Sequence, residues 1–187
     1  MDTLQILKDS DALLEGHFLL TSGKHSKQYV QCAKLLRFPD KAEKILKPVA
    51  DQLKDMQVDL LVGPAMGGIL VAYEIGRQLG KEAIFTERVE GKMELRRGFE
   101  VKKGQRIVIC EDVVTTAKSS LEVRDLLEEM GGEVIAIVSI IDRTTKEIEL
   151  PLISAVKMEI ETFDQEDCPL CKEGIPCVKP GSRNLSK

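Results

Sequence analysis

The sequence lacks a continuous basic stripe: its 27 lysines and arginines are interspersed among 31 acidic side chains, for a formal charge of -4. A nucleic-acid backbone would find no extended cationic surface, so nucleic acid is not expected as a partner. No apolar run reaches transmembrane length, and the first residues, MDTLQILKDSDALLEGHF, follow an amphipathic helix pattern without the basic start and unbroken apolar core of a secretory signal. No membrane partner is expected, and a cytoplasmic location is. An even cysteine set is also missing. The five thiols, Cys32, Cys110, Cys168, Cys171 and Cys177, argue against a disulfide framework and suit a reducing compartment. No internal repeat or low-complexity tract stands out.

What is present is 187 residues, 43% hydrophobic, enough for one sizeable core. The reading is a single domain over residues 1–187, with residues 1–38 and 159–187 as a small cap and tail around a core of residues 39–158. HFLLTSGKHSKQYVQCAKLL reads as short extended pieces about a Ser-Gly turn, and a helix with Ile45, Leu46, Val49 and Leu53 on one face begins at Pro39. From Val58 short apolar runs alternate with helical patterns: VDLLVG, GGILVAYEIGRQLG, EAIFTE, QRIVICED, SSLEVRDLLEEMGG and EVIAIVSIID. That alternation predicts an α/β fold, a central, mostly parallel sheet flanked by helices. Ligands of such sheets bind beyond the carboxyl ends of the strands, so the loops there are where chemistry is sought.

Three loops are unusual. In RIVICEDVVTTAKSS, RIVIC reads as a buried strand, and a helix follows with Leu121, Leu126, Leu127 and Met130 facing inward. EDVVTTAKS connects them, so backbone amides and the hydroxyls of Thr115, Thr116 and Ser119 converge at a helix N-terminus, which favours phosphate. Glu111 and Asp112 would repel phosphate, but they suit sugar hydroxyls at the ligand's other end. The plainer alternative is that Asp and Thr merely cap the helix. A second strand-to-helix turn contains Pro64, Ala65, Met66, Gly67 and Gly68, where glycine lets backbone approach an anion, or simply allows tight packing. The third, TERVEGKMELRRGFEVKKG, is crowded with charge around a Glu-Gly turn and fits either a solvated hairpin or a loop that closes over a ligand.

Taken together, these strings resemble the type I phosphoribosyltransferases, in which two acidic residues end a hydrophobic strand and a Thr-rich loop follows. The resemblance implies that fold, with the cap as a hood over the substrate. It implies that the loop comprising Val113, Val114, Thr115, Thr116, Ala117, Lys118 and Ser119 grips the 5-phosphate of 5-phosphoribosyl-1-diphosphate (PRPP), while Glu111 and Asp112 hold the ribose. Ala65, Met66, Gly67 and Gly68 match the diphosphate loop, and the third loop matches the family's mobile loop, which makes Arg88 and Lys92 the candidates to neutralise the departing diphosphate. HFLLTSGKHSKQYVQC, GPAMGG, GKMELRRGFEV, SIIDR and CPLCKEGIPCVKPGSR are similar to the orotate branch of the family. That implies pentosyl transfer to orotate in pyrimidine biosynthesis, orotate contacts from Thr115 and Arg143, Mg²⁺ held mainly by PRPP rather than by direct protein ligands, and a homodimer sharing the mobile loop. The sequence departs from the family at Ala117, where many members have glycine, and from its better-known branch at Thr21 and Gly67, where that branch has lysines. Transfer to another base, or PRPP sensing without catalysis, are the alternatives. CPLCKEGIPC invites a zinc reading, but with three thiols there and His17 and His25 distant in sequence, ordinary reduced cysteines are the expectation. His17 is read as a hood or helix-end residue and His25 as part of a turn, ligand-facing or solvent-facing.

Overall fold

The computed structural model describes residues 3–20 and 22–180, so the departure at Thr21 lies outside the described residues. In chain order the elements are α1 (Thr3–Asp9), β1 (Leu13–Leu19), β2 (His25–Val30), α2 (Cys32–Leu36), α3 (Pro39–Leu53), β3 (Leu60–Pro64), α4 (Gly67–Leu79), β4 (Glu82–Val89), β5 (Lys92–Leu95), β6 (Arg106–Val114), α5 (Lys118–Glu129), β7 (Glu133–Asp142), β8 (Leu152–Lys157), β9 (Thr162–Phe163) and α6 (Pro169–Lys172). They form two units. One comprises the residues up to Leu35 with those from Glu159 onward, the other Leu36–Met158.

In the smaller unit β1, β2 and β9 make an antiparallel sheet with β2 in the middle. The opening helix is shorter than its amphipathic pattern suggests. The Ser10 hydroxyl turns back onto the Ile6 carbonyl at 2.8 Å and Asp11 takes φ +53°, which ends the helix before β1 begins. His17 and His25 are both buried, on β1 and at the start of β2, so His25 is neither in the turn nor solvent-facing.

The larger unit is a six-stranded sheet in the order β5-β4-β3-β6-β7-β8, parallel except for the edge strand β5. Its central strands are almost wholly apolar because both faces are covered. On one face Leu60, Val62, Ile107, Ile109 and Ile137 pack with Val123 and Leu127 of α5. The alternating residues Leu61, Val108, Cys110 and Val138 are also buried and point the opposite way. α5 carries most of the expected inward set: Leu127 is fully buried, and Leu121 and Leu126 are half-buried against the same cluster. Val123, not expected there, is fully buried, and Met130 is 43% exposed beyond the helix end.

The strand order positions the site. From the neighbouring strands β3 and β6 the chain moves outward in opposite directions, β3 to β4 on one side and β6 to β7 on the other. Right-handed crossovers then put α4 and α5 on opposite faces, leaving a crevice at the carboxyl ends of β3 and β6. The second loop and the acidic loop of the sequence both open there.

Candidate active site

β6 does not end at Cys110. Its pairing with β7 continues through Glu111 opposite Ser139, Val113 opposite Ile141 and Val114 opposite Asp142, so the two carboxylates stand on the strand and the connection to α5 is only residues 115–117. Neighbouring strand residues face opposite ways, and the contacts follow. Glu111 turns toward α5, where the Ser120 hydroxyl donates to Oε1 at 3.3 Å. Asp112 turns toward α4, and its Oδ1 accepts the Val113 amide at 2.9 Å. Burial, followed by the neighbouring Asp112 charge, pushes Glu111 up to about 8. Burial raises Asp112 as well, against the backbone amides that donate to it. Charge on this pair is costly in the ligand-free protein, and hydroxyl donors or a cation would relieve that cost.

Both helices at the crevice present uncapped N-termini. The N-cap of α5 is Ala117, at φ +56° and ψ +11°, and that of α4 is Met66; neither makes a side-chain cap hydrogen bond. The capping alternative for the Asp and Thr residues is therefore corrected, and the first amides of each helix remain open to an anion. Thr115, Thr116 and Lys118 are exposed, and Ser119 is half-buried. Ala117 does hold the left-handed backbone that favours glycine, and its methyl group is buried in the α5 cluster.

The glycines of the second loop are there for close approach. A Cβ on Gly67 would lie 2.5 Å from Cγ of Asp112, and one on Gly68 would strike the Cys110 carbonyl. The loop between β3 and α4 thus lies directly against the acidic end of β6. The Ala65-Met66 peptide is cis, and Met66 is exposed.

At the end of β7, Arg143 donates its amide to the Val114 carbonyl at 2.8 Å, which sets it beside Thr115. Asp142 is not its partner: that carboxylate accepts the Thr144 amide at 2.7 Å and lies 3.9 Å from Nζ of Lys157. Among the described residues no carboxylate pairs with the Arg143 guanidinium, and its buried Nε has no hydrogen-bond partner. Burial lowers its pKa from the usual arginine value. An unsatisfied, partly buried guanidinium is a ready receptor for a planar anion.

A sequence profile of the phosphoribosyl transferase domain matches residues 31–164. The chain belongs to the phosphoribosyltransferase family. It is 50% identical over 182 residues, 96% of either chain, to an orotate phosphoribosyltransferase of Caldicellulosiruptor bescii. Among solved structures its fold is similar to that of an orotate phosphoribosyltransferase from Aeropyrum pernix, with a TM-score of 0.69 at 24% identity over 84% of this chain and 94% of the other. An adenine phosphoribosyltransferase from Thermoanaerobacter pseudethanolicus is similar as well, with a TM-score of 0.60 at 21% identity over 70% of this chain and 88% of that one.

The charged third segment of this phosphoribosyltransferase is mostly a β-hairpin. β4 and β5 join through Glu90 at φ +48° and Gly91 at φ +86°, a pair of positive values that a type I′ turn needs. Arg88 is tied down: its guanidinium forms a two-pronged pair with Glu122 of α5, at 2.8 and 3.2 Å, and donates to the Gly91 carbonyl. Lys92, on the far side of the turn, is exposed. The structure does not bring these two cations into contact with the acidic pair. Sequence reasoning missed Ser120, the hydrogen-bond partner of Glu111, because in helical phase it reads as one more polar residue of the first turn. It also missed the contact of Gly67 with Asp112, to which the adjacent glycines were the one available signal.

Proposed function

We propose that this chain transfers the 5-phosphoribosyl group of PRPP to N1 of orotate, releasing diphosphate and giving orotidine 5-phosphate in pyrimidine biosynthesis. The observation that carries the choice of base is Arg143, a partly buried guanidinium with an unpartnered Nε beside the phosphate loop. Orotate bears a carboxylate that such a fork binds bidentately. The uncharged purine bases do not call for it. The 50% identical relative named for this activity supports the same reading.

In this reading the open amides of α5, with Thr115, Thr116, Lys118 and Ser119, hold the 5-phosphate, and residues 65–68 hold the diphosphate. Glu111 and Asp112 accept from the ribose hydroxyls. Bond breaking at the anomeric carbon develops oxocarbenium character, so the protein acts by positioning and by neutralising charge rather than by supplying a nucleophile. Arg88 and Lys92 neutralise the departing diphosphate; Lys92 is free to do so as it stands, and Arg88 first has to leave Glu122. The acidic pair, made costly by burial, fits a divalent cation bridged from the ligand, directly or through water. Mg²⁺ bound to PRPP would offset charge on the leaving group.

The partner is a second copy of the chain. Met66, Leu70 and Tyr73, spaced to share one face at the start of α4, are 82%, 49% and 66% exposed, and an apolar stripe beside an active site fits a subunit interface. We place the enzyme in the cytoplasm, where its free thiols stay reduced; among the described residues no helix is long and apolar enough to cross a membrane. The test is orotate consumption with PRPP and Mg²⁺, with adenine, hypoxanthine, xanthine and uracil as competing bases. Turnover on orotate alone is the expected result. Turnover on another base alone overturns the choice of base, and binding of PRPP without turnover on any base overturns the enzyme reading.

A further inference from the structure

The smaller unit has little to hold its two chain segments together. From Glu159 to the last described residue, Cys168 is the one buried side chain, whereas Ile6, Leu7, Ala12, Leu13, Phe18 and Leu35 all come from the first segment. Polar contacts join the tail: the two-residue pairing of β9 with β2, backbone bonds between Val178 and residues 17 and 19, the Ser26 hydroxyl donating to the Glu161 carbonyl, His17 Nδ1 on the Ile175 carbonyl, and an exposed Lys24–Asp164 ion pair. Units with so small a core commonly depend on a covalent or metal staple.

At this junction His17, His25, Cys168 and Cys171 bring one ligand atom each to within 4.8 Å of one another, three of the residues being buried and Cys171 partly so. We propose that these four side chains form a closed structural zinc site. Antiparallel pairing of β1 with β2 sets the two imidazoles together, with Nε2 of His17 2.7 Å from Nδ1 of His25. A spacing of three residues puts both thiols on one side of the short α6 turn. Cys168 Sγ lies 3.5 Å from His17 Nε2, and Cys171 Sγ lies 3.8 Å from the same atom and 3.4 Å from His25 Nδ1. Zinc bonds of about 2.0–2.1 Å to nitrogen and about 2.3 Å to sulfur give tetrahedral edges of roughly 3.3–3.8 Å. Three nitrogen–sulfur distances, 3.4, 3.5 and 3.8 Å, already fall in or near that range, and the two nitrogens have to part by roughly 0.6 Å.

The surroundings favour ligation over a chance cluster. His17 Nδ1 lies 2.7 Å from the Ile175 carbonyl, where only an N–H can bond, so Nε2 keeps its lone pair and faces the thiols. A carbonyl holding the far nitrogen of a metal-bound histidine is the usual supporting contact. Two sulfur and two imidazole ligands in a tetrahedral, water-poor setting select zinc over magnesium, calcium or manganese. Cys177 Sγ lies 3.9 Å from His25 Nδ1 but is exposed, and we leave it outside the ligand set.

The test uses the full chain, purified without chelator after growth with added zinc. Metal analysis is expected to give about one zinc per chain, falling to near none in C168S/C171S and unchanged in C177S. Because the double variant can lose its fold, cobalt is exchanged into the wild type in parallel. The expected spectrum combines tetrahedral d–d bands with a thiolate-to-cobalt charge-transfer band, which a carboxylate site such as Glu111 and Asp112 could not produce. Wild type without zinc and without that spectrum overturns the proposal. So does a native Cys168–Cys171 disulfide, seen as a mass lower by two hydrogens, or loss of zinc in C177S.

Discussion

The amide of Arg143 donates to the carbonyl of Val114 at 2.8 Å, so the first residue beyond β7 is fixed beside the last residue of β6. This bond carries the guanidinium to the Thr115–Ala117 connection without the side chain having to find a partner of its own. Substituting Arg143 by alanine is therefore expected to leave folding and PRPP binding intact while lowering kcat/KM for orotate. A lost charge-assisted contact of about 1.5–3 kcal/mol corresponds to roughly 10- to 150-fold. Steady-state kinetics with each substrate varied in turn checks this. An unchanged kcat/KM for orotate would rule Arg143 out as the carboxylate receptor.

Gly67→Ala puts a methyl group against the Asp112 carboxylate. Overpacking of this kind costs about 1–3 kcal/mol, so a lower Tm and weaker PRPP binding are expected together, the first by calorimetry and the second by titration. Gly80→Ala is the comparison: Gly80 caps α4 at φ +65° with nothing within reach of an added Cβ, and its cost should fall on stability alone.

The acidic pair makes stability depend on pH. Glu111 rises from its ordinary 4.5 to about 8 in the folded chain, so the fold binds that proton more tightly than the unfolded state does. Its stabilising contribution is complete below the unfolded value and is lost as pH rises through the folded one. Melting of the ligand-free protein between about pH 5 and pH 9 is expected to show Tm declining, with a shallower decline in Glu111→Gln. Equal slopes would place the pH dependence elsewhere.

Leu70 and Tyr73 are exposed on α4, so Leu70→Glu and Tyr73→Glu remove no buried packing within the chain. In a homodimer built on this face, the doubly substituted protein is expected to run as a monomer in light scattering, with secondary structure intact by circular dichroism. A dimeric variant would move the interface to another surface.

Much of the larger unit was legible because its strands are buried on both faces and so advertise themselves as apolar runs; β7 occupies the stretch read as EVIAIVSIID. The end of β6 was not legible. Glu111 and Asp112 are polar enough to read as loop, yet pairing with Ser139 and its neighbours keeps them on the strand. On α5, Leu121, Leu126 and Leu127 were legible as inward-facing but Val123 was not, and Met130, expected inward, lies past the helix end at Glu129. The histidine and cysteine cluster was the least accessible feature: its two histidines lie about 150 positions from its two cysteines, and the register of β1 with β2 and the docking of the tail bring them together.

Three residues, Thr115, Thr116 and Ala117, link β6 to α5, and both Val114 before them and Ala117 itself are buried. A linker so short, with buried residues at both ends, has few alternative conformations to give up when an anion arrives. The ordering cost, about 1–2 kcal/mol for each backbone residue fixed, was met when the chain folded. In the proposed function this linker serves as a preformed phosphate socket, and any closing motion of the catalytic cycle is supplied by other segments.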